Sequence, residues 1–297
     1  MPRPRYRYRK PPRRKPRLKT ILWVLVALLC LAYPFFEAYH LTVDRHTVSI
    51  NGLPASLKNI KIAFVTDIHE SDRYPQRMVD GLVRRINGLS ADIVVLGGDY
   101  ADSSADTIAF FRSLPKIQAR LGVFGVLGDC DRSDPQTNYA LVVKAMTAAG
   151  ITPLTNSVAK VKLSDRYLCL AGVDDLYAGK PDVEAVASQL RQEDFVIFVA
   201  HNPDILPTAI KTNGADGDNH WFDIALFGHT HGGQMTLLGF PLLAQFVPDL
   251  GDRYLSGWLE ENRAAILVSN GVGTEGFPAR LFAPSQIHLM TLKPKTI

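Results

Sequence analysis

From about Asn59 onward the chain repeats one pattern: four to six consecutive apolar residues, rich in Val, Ile and Phe, that end in a polar cluster. Residues 61–66 run into Asp67, and residues 93–96 into Gly97-Gly98-Asp99. Residues 123–127 run into Gly128-Asp129, 195–200 into His201-Asn202, and 224–227 into Gly228-His229. Runs this short and this apolar predict strands buried on both faces. Between them, residues 76–89, 136–149 and 181–191 read as helices. Pro181 suits a first helical turn, and Gly150 suits the residue past a helix end. Later runs at 167–170, 264–268 and 286–292 predict further strands, and residues 40–58 a leading strand and turn. No internal repeat is visible. The pattern predicts one α/β domain over residues 40–297, able to stack two sheets between helices.

Ahead of this domain the pattern changes. Residues 21–36 carry no charge, are interrupted late by Pro34 and are closed by Glu37. A spanning helix needs roughly 20 residues, with a range that starts near 17. Leu18, Ala38 and Tyr39 can extend the run. A cleaved secretory signal would need small residues at its cleavage site; no such site follows Leu29, and no lipobox precedes Cys30. A buried core helix sits badly beside so many positive charges. An uncleaved anchor at residues 21–39, single-pass or monotopic in the cell membrane, fits best.

Charge sharpens this division. Residues 1–20 are rich in Pro, Arg and Tyr, and the first 19 hold ten Lys or Arg and no acid. Prolines and like charges predict a disordered basic tail. Tyr6 and Tyr8 could stack on RNA bases, but Lys and Arg beside an apolar run read first as contacts to anionic lipid. Arg13-Arg14 with Leu18-Lys19 faintly resembles a twin-arginine export signal. The overall net charge is +4, yet the remaining 23 of 33 basic residues face all 29 acids, so the body is about −6. A nucleic-acid-binding body is disfavoured, because a phosphate-tracking surface needs a basic excess of its own. With 46% hydrophobic and 21% charged residues, the chain is neither disordered throughout nor collagen-like. Cys30, Cys130 and Cys169 have no regular spacing and form no disulfide framework.

The chemistry stands at the carboxyl ends of the predicted strands. In order these carry Asp67-Ile68-His69, Gly98-Asp99, Gly128-Asp129-Cys130-Asp131, His201-Asn202 and Gly228-His229-Thr230-His231. Strand carboxyl ends in open α/β sheets converge on one crevice. Four carboxylates and four of the eight histidines would therefore meet. Asp67 and His69 are two apart, as are His229 and His231, so an extended segment would point each pair the same way. His40, His46, His220 and His288 lack this setting and read as structural. A single such residue would be a cap or a surface group. The whole set is a metal-ligand pattern, and its mixed donors suit Mn, Fe or Zn better than Ca or Mg. Two ions sharing a carboxylate would make a two-metal hydrolytic centre.

These motifs, in this order, resemble the calcineurin-like metallophosphoesterase superfamily, whose pattern is D-x-H, G-D, G-N-H-[D/E], H and G-H-x-H. The likeness runs from about Asn59 to Leu292. It includes Gly232-Gly233-Gln234 and Ser269-Asn270-Gly271-Val272-Gly273, followed by Arg280 and Pro284. The resemblance implies a four-layered α/β/β/α sandwich holding two divalent metal ions. By its pattern Asp67, His69 and His231 would bind the first ion, Asp129, His201 and His229 the second, and Asp99 would bridge them. Within the superfamily the chain looks most like the small membrane-tethered branch that includes UDP-2,3-diacylglucosamine hydrolases and related phosphodiesterases. That likeness implies a phosphoester or nucleotide-diphosphate substrate, lipid-linked in that branch, membrane lipid against residues 1–39, and no obligate protein partner.

The third motif departs from the pattern. Asp129 and Cys130 stand where the family has Asn, a ligand, and His, which helps protonate the leaving group. Asp129 remains a sound ligand but adds a negative charge where an anionic phosphate must bind. A thiol with a reference pKa of about 8.5 is a poor partner for a developing alkoxide. Cys130 and Asp131 are nonetheless the catalytic candidates in this loop, with Asp131 also suited to orienting it. Asp174-Asp175 follow a strand and read either as pocket-lining or as turn-forming carboxylates. Residues 237–243, Leu-Leu-Gly-Phe-Pro-Leu-Leu, read more readily as core than as a greasy rim beside a membrane. The rival function is a non-catalytic membrane-tethered module whose altered third motif holds metal without turnover.

Topology yields the first prediction. A spanning helix oriented by its basic flank places residues 40–297 outside the cytoplasm. Protease added to intact spheroplasts should then digest the body; protection would instead put it under the inner leaflet on a monotopic anchor.

Overall fold

The computed structural model describes residues 18–134, 137–164 and 166–295. Most of the predicted basic tail, residues 1–17, lies outside them. The chain opens with α1 (Leu18–Tyr39), which begins three residues before the predicted anchor and contains Pro34. Every residue from Leu18 to Tyr33 is exposed; Glu37 and Ala38 are the buried residues of the helix. At 1.5 Å per residue its 22 residues measure about 33 Å, close to the ~30 Å hydrocarbon core of a bilayer.

Two six-stranded sheets follow. The first orders β1 (Thr42–Ile50), β14 (Gln286–Pro294), β2 (Lys61–Val65), β3 (Ile93–Leu96), β4 (Gly122–Gly125) and β5 (Thr152–Pro153). In it β2 to β5 run parallel, and β14 lies antiparallel to β2. The second orders β12 (Gly257–Glu261), β13 (Ala264–Val268), β9 (Ile224–Phe227), β8 (Phe195–Val199), β7 (Arg166–Gly172) and β6 (Ser157–Leu163). Its four inner strands are parallel, flanked by antiparallel β6 and β12. A short hairpin, β10 (Thr236–Leu237) and β11 (Phe240–Pro241), forms a separate two-stranded sheet.

Alternation within each apolar run builds the layers. Ile62 and Phe64 of β2, Ile93 and Val95 of β3, Ile197 and Val199 of β8 and Ile224 and Leu226 of β9 form the apolar layer between the sheets. The intervening Ala63, Val65, Val94 and Leu96 face α2 (Gln76–Gly88), α3 (Ser104–Ser113) and α4 (Tyr139–Ala148). On the far side Val196, Phe198, Ala225 and Phe227 face α5 (Val183–Ala187) and α6 (Leu206–Lys211). The architecture is thus a four-layered α/β/β/α sandwich, as the resemblance implied. Helix α2 shows why a helix belongs there: Val79, Leu82, Val83 and Ile86 make the i, i+3, i+4, i+7 stripe that it buries.

Several boundaries differ from expectation for local reasons. The Asp182 carboxylate accepts the Ala185 amide at 2.9 Å, so α5 starts after it, with Pro181 outside the helix, and spans only five residues. Helix α4 begins at Tyr139, where Asn138 caps it, and position 136 lies outside the described residues. Gly150 follows α4 at φ 83°, a left-handed geometry that terminates helices. Helix α3 has no counterpart among the expected elements, although the Ser103 hydroxyl caps it by accepting the Asp106 amide. Strands β6 and β12 have none either. Both are edge strands with half-exposed faces and no continuous apolar run.

Candidate metal centre

Loops leaving the carboxyl ends of parallel strands deliver the ionisable groups. Asp67 and His69 follow β2, Asp99 follows β3, Asp129 to Asp131 follow β4, His201 follows β8, and His229 and His231 follow β9. Their donor atoms include two sets, each within 4.8 Å, that match the expected pairing: Asp67, His69 and His231, and Asp99, Asp129, His201 and His229; a third such group joins His69, Asp99 and Cys130. Asp99 stands between the first two. Its Oδ2 lies 3.6 Å from His69 Nε2 on one side and 3.3 Å from His201 Nε2 on the other. Asp129 Oδ1 lies 3.3 Å from His201 Nε2 and 3.1 Å from His229 Nδ1.

The backbone that achieves this is not extended, contrary to the alternation argument. Asp67, His69, Asp99, His229 and His231 have φ of 53, 48, 51, 68 and 49°, in the left-handed region. Each such non-glycine residue costs on the order of 1–3 kcal/mol. Hydrogen bonds across the crevice hold the turns: the Ile68 and His69 amides donate to Asp99 O, and the Gly273 amide to Asp67 O at 2.7 Å. Gly98, at φ 98°, has no room for a side chain, since a Cβ would fall 2.8 Å from His201 Nδ1.

Two observations show that these residues fit a pair of cations. The wholly buried Asp67 Oδ2 has no hydrogen-bond partner. Imidazole nitrogens face each other, His69 Nε2 at 3.1 Å from His231 Nε2 and His201 Nε2 at 3.3 Å from His229 Nδ1. Facing ring nitrogens and an unpartnered carboxylate oxygen are converging ligand atoms, which ions with mixed N/O preference would satisfy together. The remaining ring atoms are secured from behind. His201 Nδ1 meets Gly97 O at 2.8 Å, and His69 Nδ1 meets Asp102 Oδ1 at 3.0 Å. Asp102 is in turn paired with Arg73 at 2.6 Å. Such partners fix ring orientation and tautomer.

The ionisation states follow from this packing. Burial pulls His69 down, but its hydrogen bond to Asp102 and the charges of Asp99 and Asp67 push it up to about 9. His201 is likewise raised, its burial outweighed by Asp99 and Asp129. His231 moves the other way under burial and the neighbouring charges of His69 and Arg280. Asp129 is only partly buried, and although desolvation raises it, its bonds to His201 and His229 hold it well below the usual carboxylate range.

The third-motif loop separates its two catalytic candidates. Asp131 is fully buried and accepts from the amides of Asp99, Tyr100 and Gly128 at 2.9 to 3.0 Å and from the Thr107 hydroxyl at 2.8 Å. It positions Asp99 and cannot reach substrate. Cys130 stays partly exposed beside His69 and Asp99. Burial and the charges of Asp99, Asp129 and Asp131 push its thiol far up, so it is neither a ready acid nor a thiolate. Asp174 and Asp175 form a turn: Asp174 pairs with Arg132 and accepts the Lys180 amide, and Asp175 accepts the Tyr177 and Ala178 amides.

Two supports were absent from the residue-by-residue reading of the sequence. Asp102, in the loop before α3, bears on His69, and an isolated Asp carries no pattern that would reveal this. Arg280, present only as part of the resemblance, is fully buried. Its guanidinium donates to the carbonyls of His231, Asn270, Gly273 and Ala283 and lies 3.3 Å from His231 Nδ1. The expectation that residues 237–243 are core is overturned, because Leu238 is 88% and Phe240 69% exposed.

Fold and donor sets together define a binuclear metallohydrolase. The chain belongs to the calcineurin-like phosphoesterase family, whose model matches residues 60–233. It is 29% identical over 265 residues to the uncharacterized metallophosphoesterase YkuE of Bacillus subtilis, covering 87% of this chain and 88% of that one. Phosphodiesterase YaeI of Escherichia coli is 31% identical over 219 residues, covering 72% and 75%. A transmembrane protein with metallophosphoesterase domain from Danio rerio is 29% identical over 293 residues, 93% of this chain and 63% of that longer one. The protein is therefore a metal-dependent phosphoesterase of a family that uses two divalent ions, and the non-catalytic reading is set aside.

Two outcomes follow. Asp99→Ala, which removes the carboxylate between both donor sets, should lose more than one equivalent of metal and essentially all hydrolysis; elemental analysis beside a phosphodiester assay checks both. Because His69 holds its proton up to about 9 in the ion-free site, metal uptake must release protons and should weaken as pH falls below that value. Calorimetric titration with Mn in buffers of different ionisation enthalpy measures the proton release directly.

Proposed function

We propose that this protein is a membrane-tethered hydrolase of phosphodiester or diphosphate bonds whose leaving groups depart as stable anions, with nucleotide-linked lipids of the UDP-2,3-diacylglucosamine type as the physiological class. The observation that carries this reading is the third-motif loop. Asp131 has both oxygens committed to the backbone, and the Cys130 thiol is a weakened acid. Neither supplies a proton readily to a departing alkoxide, whereas a nucleoside monophosphate or an aryl oxide needs none. One relative is itself named a phosphodiesterase.

When bound, the two ions would activate water and neutralise charge on the phosphate oxygens. Asp67, His69 and His231 would hold one, Asp129, His201 and His229 the other, and Asp99 both. Asp102 and the Gly97 carbonyl keep His69 and His201 turned inward. Tyr177, half-exposed with its ring centroid 5.7 Å from that of His229, offers a face at the mouth on which a nucleobase could stack. The anchor supports a lipid-linked substrate, because α1 is long and apolar enough to cross a bilayer.

Substrates whose leaving groups have a pKa near 7 should be cleaved well and alkyl esters far more slowly. General acid assistance contributes about 10²–10⁴-fold, which sets the scale of what is missing for poor leaving groups. Cys130→His should therefore speed alkyl phosphodiesters selectively and leave bis-aryl phosphates nearly unchanged. Equal effects on the two series, measured as kcat/KM, would remove the argument from the leaving group.

A further inference from the structure

The exposed apolar residues beside the metal centre are continuous with the anchor helix. Hairpin β10–β11 begins five residues after His231, and Met235 bridges to Leu281. Leu238, Phe240 and Leu242 of the hairpin segment and Phe277 and Phe282 of the facing loop are more than half exposed. Residues 233–248 contain no Asp, Glu, Lys or Arg. In residues 276–284 the one charged residue is Arg280, which is fully buried. This loop also receives the end of α1: the Arg280 amide donates to Pro34 O at 2.9 Å, and the Phe282 amide to Glu37 Oε2 at 3.0 Å. Tyr33 packs on Phe282 and Phe35 on Phe277, with ring centroids 6.3 and 5.7 Å apart.

Helix length turns these contacts into a depth. With Lys19 held at the far boundary of the hydrocarbon, Tyr33 and Phe35 lie about 21 and 24 Å along the axis. The hydrocarbon is about 30 Å thick. The aromatic partners of Tyr33 and Phe35 on the body would then sit roughly 6–9 Å below the near boundary, the depth at which amphipathic surfaces immerse. A water-exposed rim would have to pull an apolar helix partly out of the bilayer. We propose that residues 237–242, Phe277 and Phe282 form a second membrane contact, inserted in the leaflet that α1 enters and holding the metal centre's mouth at the lipid surface. The inference rests on the anchor reading above, and the occupant it assigns is the acyl layer of a bilayer.

The test uses the full chain reconstituted in phosphatidylethanolamine–phosphatidylglycerol vesicles, with and without brominated acyl chains. Trp23, on α1, reports the anchor in the unmodified protein. Leu238→Trp in a Trp23→Phe background reports the rim, read against Trp23→Phe alone so that Trp221 and Trp258 cancel. Insertion predicts that bromolipid quenches emission at both positions. Quenching at 23 without any at 238 overturns the rim while leaving the anchor. Quenching at 238 alone supports the rim and removes the spanning helix, and no quenching at either overturns both. An indole at 238 that is shielded from aqueous acrylamide yet untouched by bromolipid would place a protein or a second copy there, also overturning the proposal. As a functional readout, Leu238→Asp with Phe240→Asp should slow hydrolysis of a vesicle-embedded phosphodiester about ten-fold or more, with soluble bis-aryl phosphate unchanged. Equal loss on both substrates, or on neither, contradicts it.

Discussion

The buried Asp131 carboxylate, through its hydrogen bonds to the amides of Asp99, Tyr100 and Gly128, ties the ends of β3 and β4 together at the point where the two donor sets meet. Asp99 can serve both sets only if its backbone stays in a left-handed turn, which an isolated chain would abandon. Burying an acid to hold another acid in place is unfavourable by itself. Burial and the charge of Asp99 raise Asp131 to about 7. The arrangement is tolerable because three amide donors and the Thr107 hydroxyl meet the carboxylate directly, and such charge-assisted bonds are among the strong ones.

That turn stays in place because the sandwich beneath it is rigid. Parallel strands from both sheets end at one edge, and the apolar layer between the sheets fixes their spacing. The five strained residues sit at the ends of this frame, where dense packing resists their relaxation. Close glycines complete the fit: a Cβ at Gly228 or Gly128 would run into the Asp67 or Asp99 carboxylate.

A second line of contacts joins this centre to α1. Arg280 donates its backbone amide to the helix and its guanidinium to the carbonyl of His231. Burial lowers it to about 10, yet it stays charged at neutral pH. The helix and His231 are therefore tied to one buried residue, through its backbone and its side chain respectively. Such a link fixes the orientation of the candidate centre relative to α1.

The sequence by itself determined a great deal. Fully apolar runs of four to six residues fixed the central strands, because period and burial are local properties. The Asp and His residues that ended those runs pointed to a candidate metal centre, since the carboxyl ends of parallel strands converge on one crevice. That the strands belong to two sheets was decided by the fold. Edge strands β6 and β12 were silent, having no continuous apolar run to mark them. The left-handed φ of Asp67 and His231, the bond from Asp102 to His69 and the commitment of Asp131 to backbone amides were decided only by the tertiary structure. Each depends on groups brought together from distant parts of the chain. The exposure of residues 237–243 was decided in the same way: an apolar run records its affinity for a nonaqueous environment, and only the fold shows whether that environment is its own core.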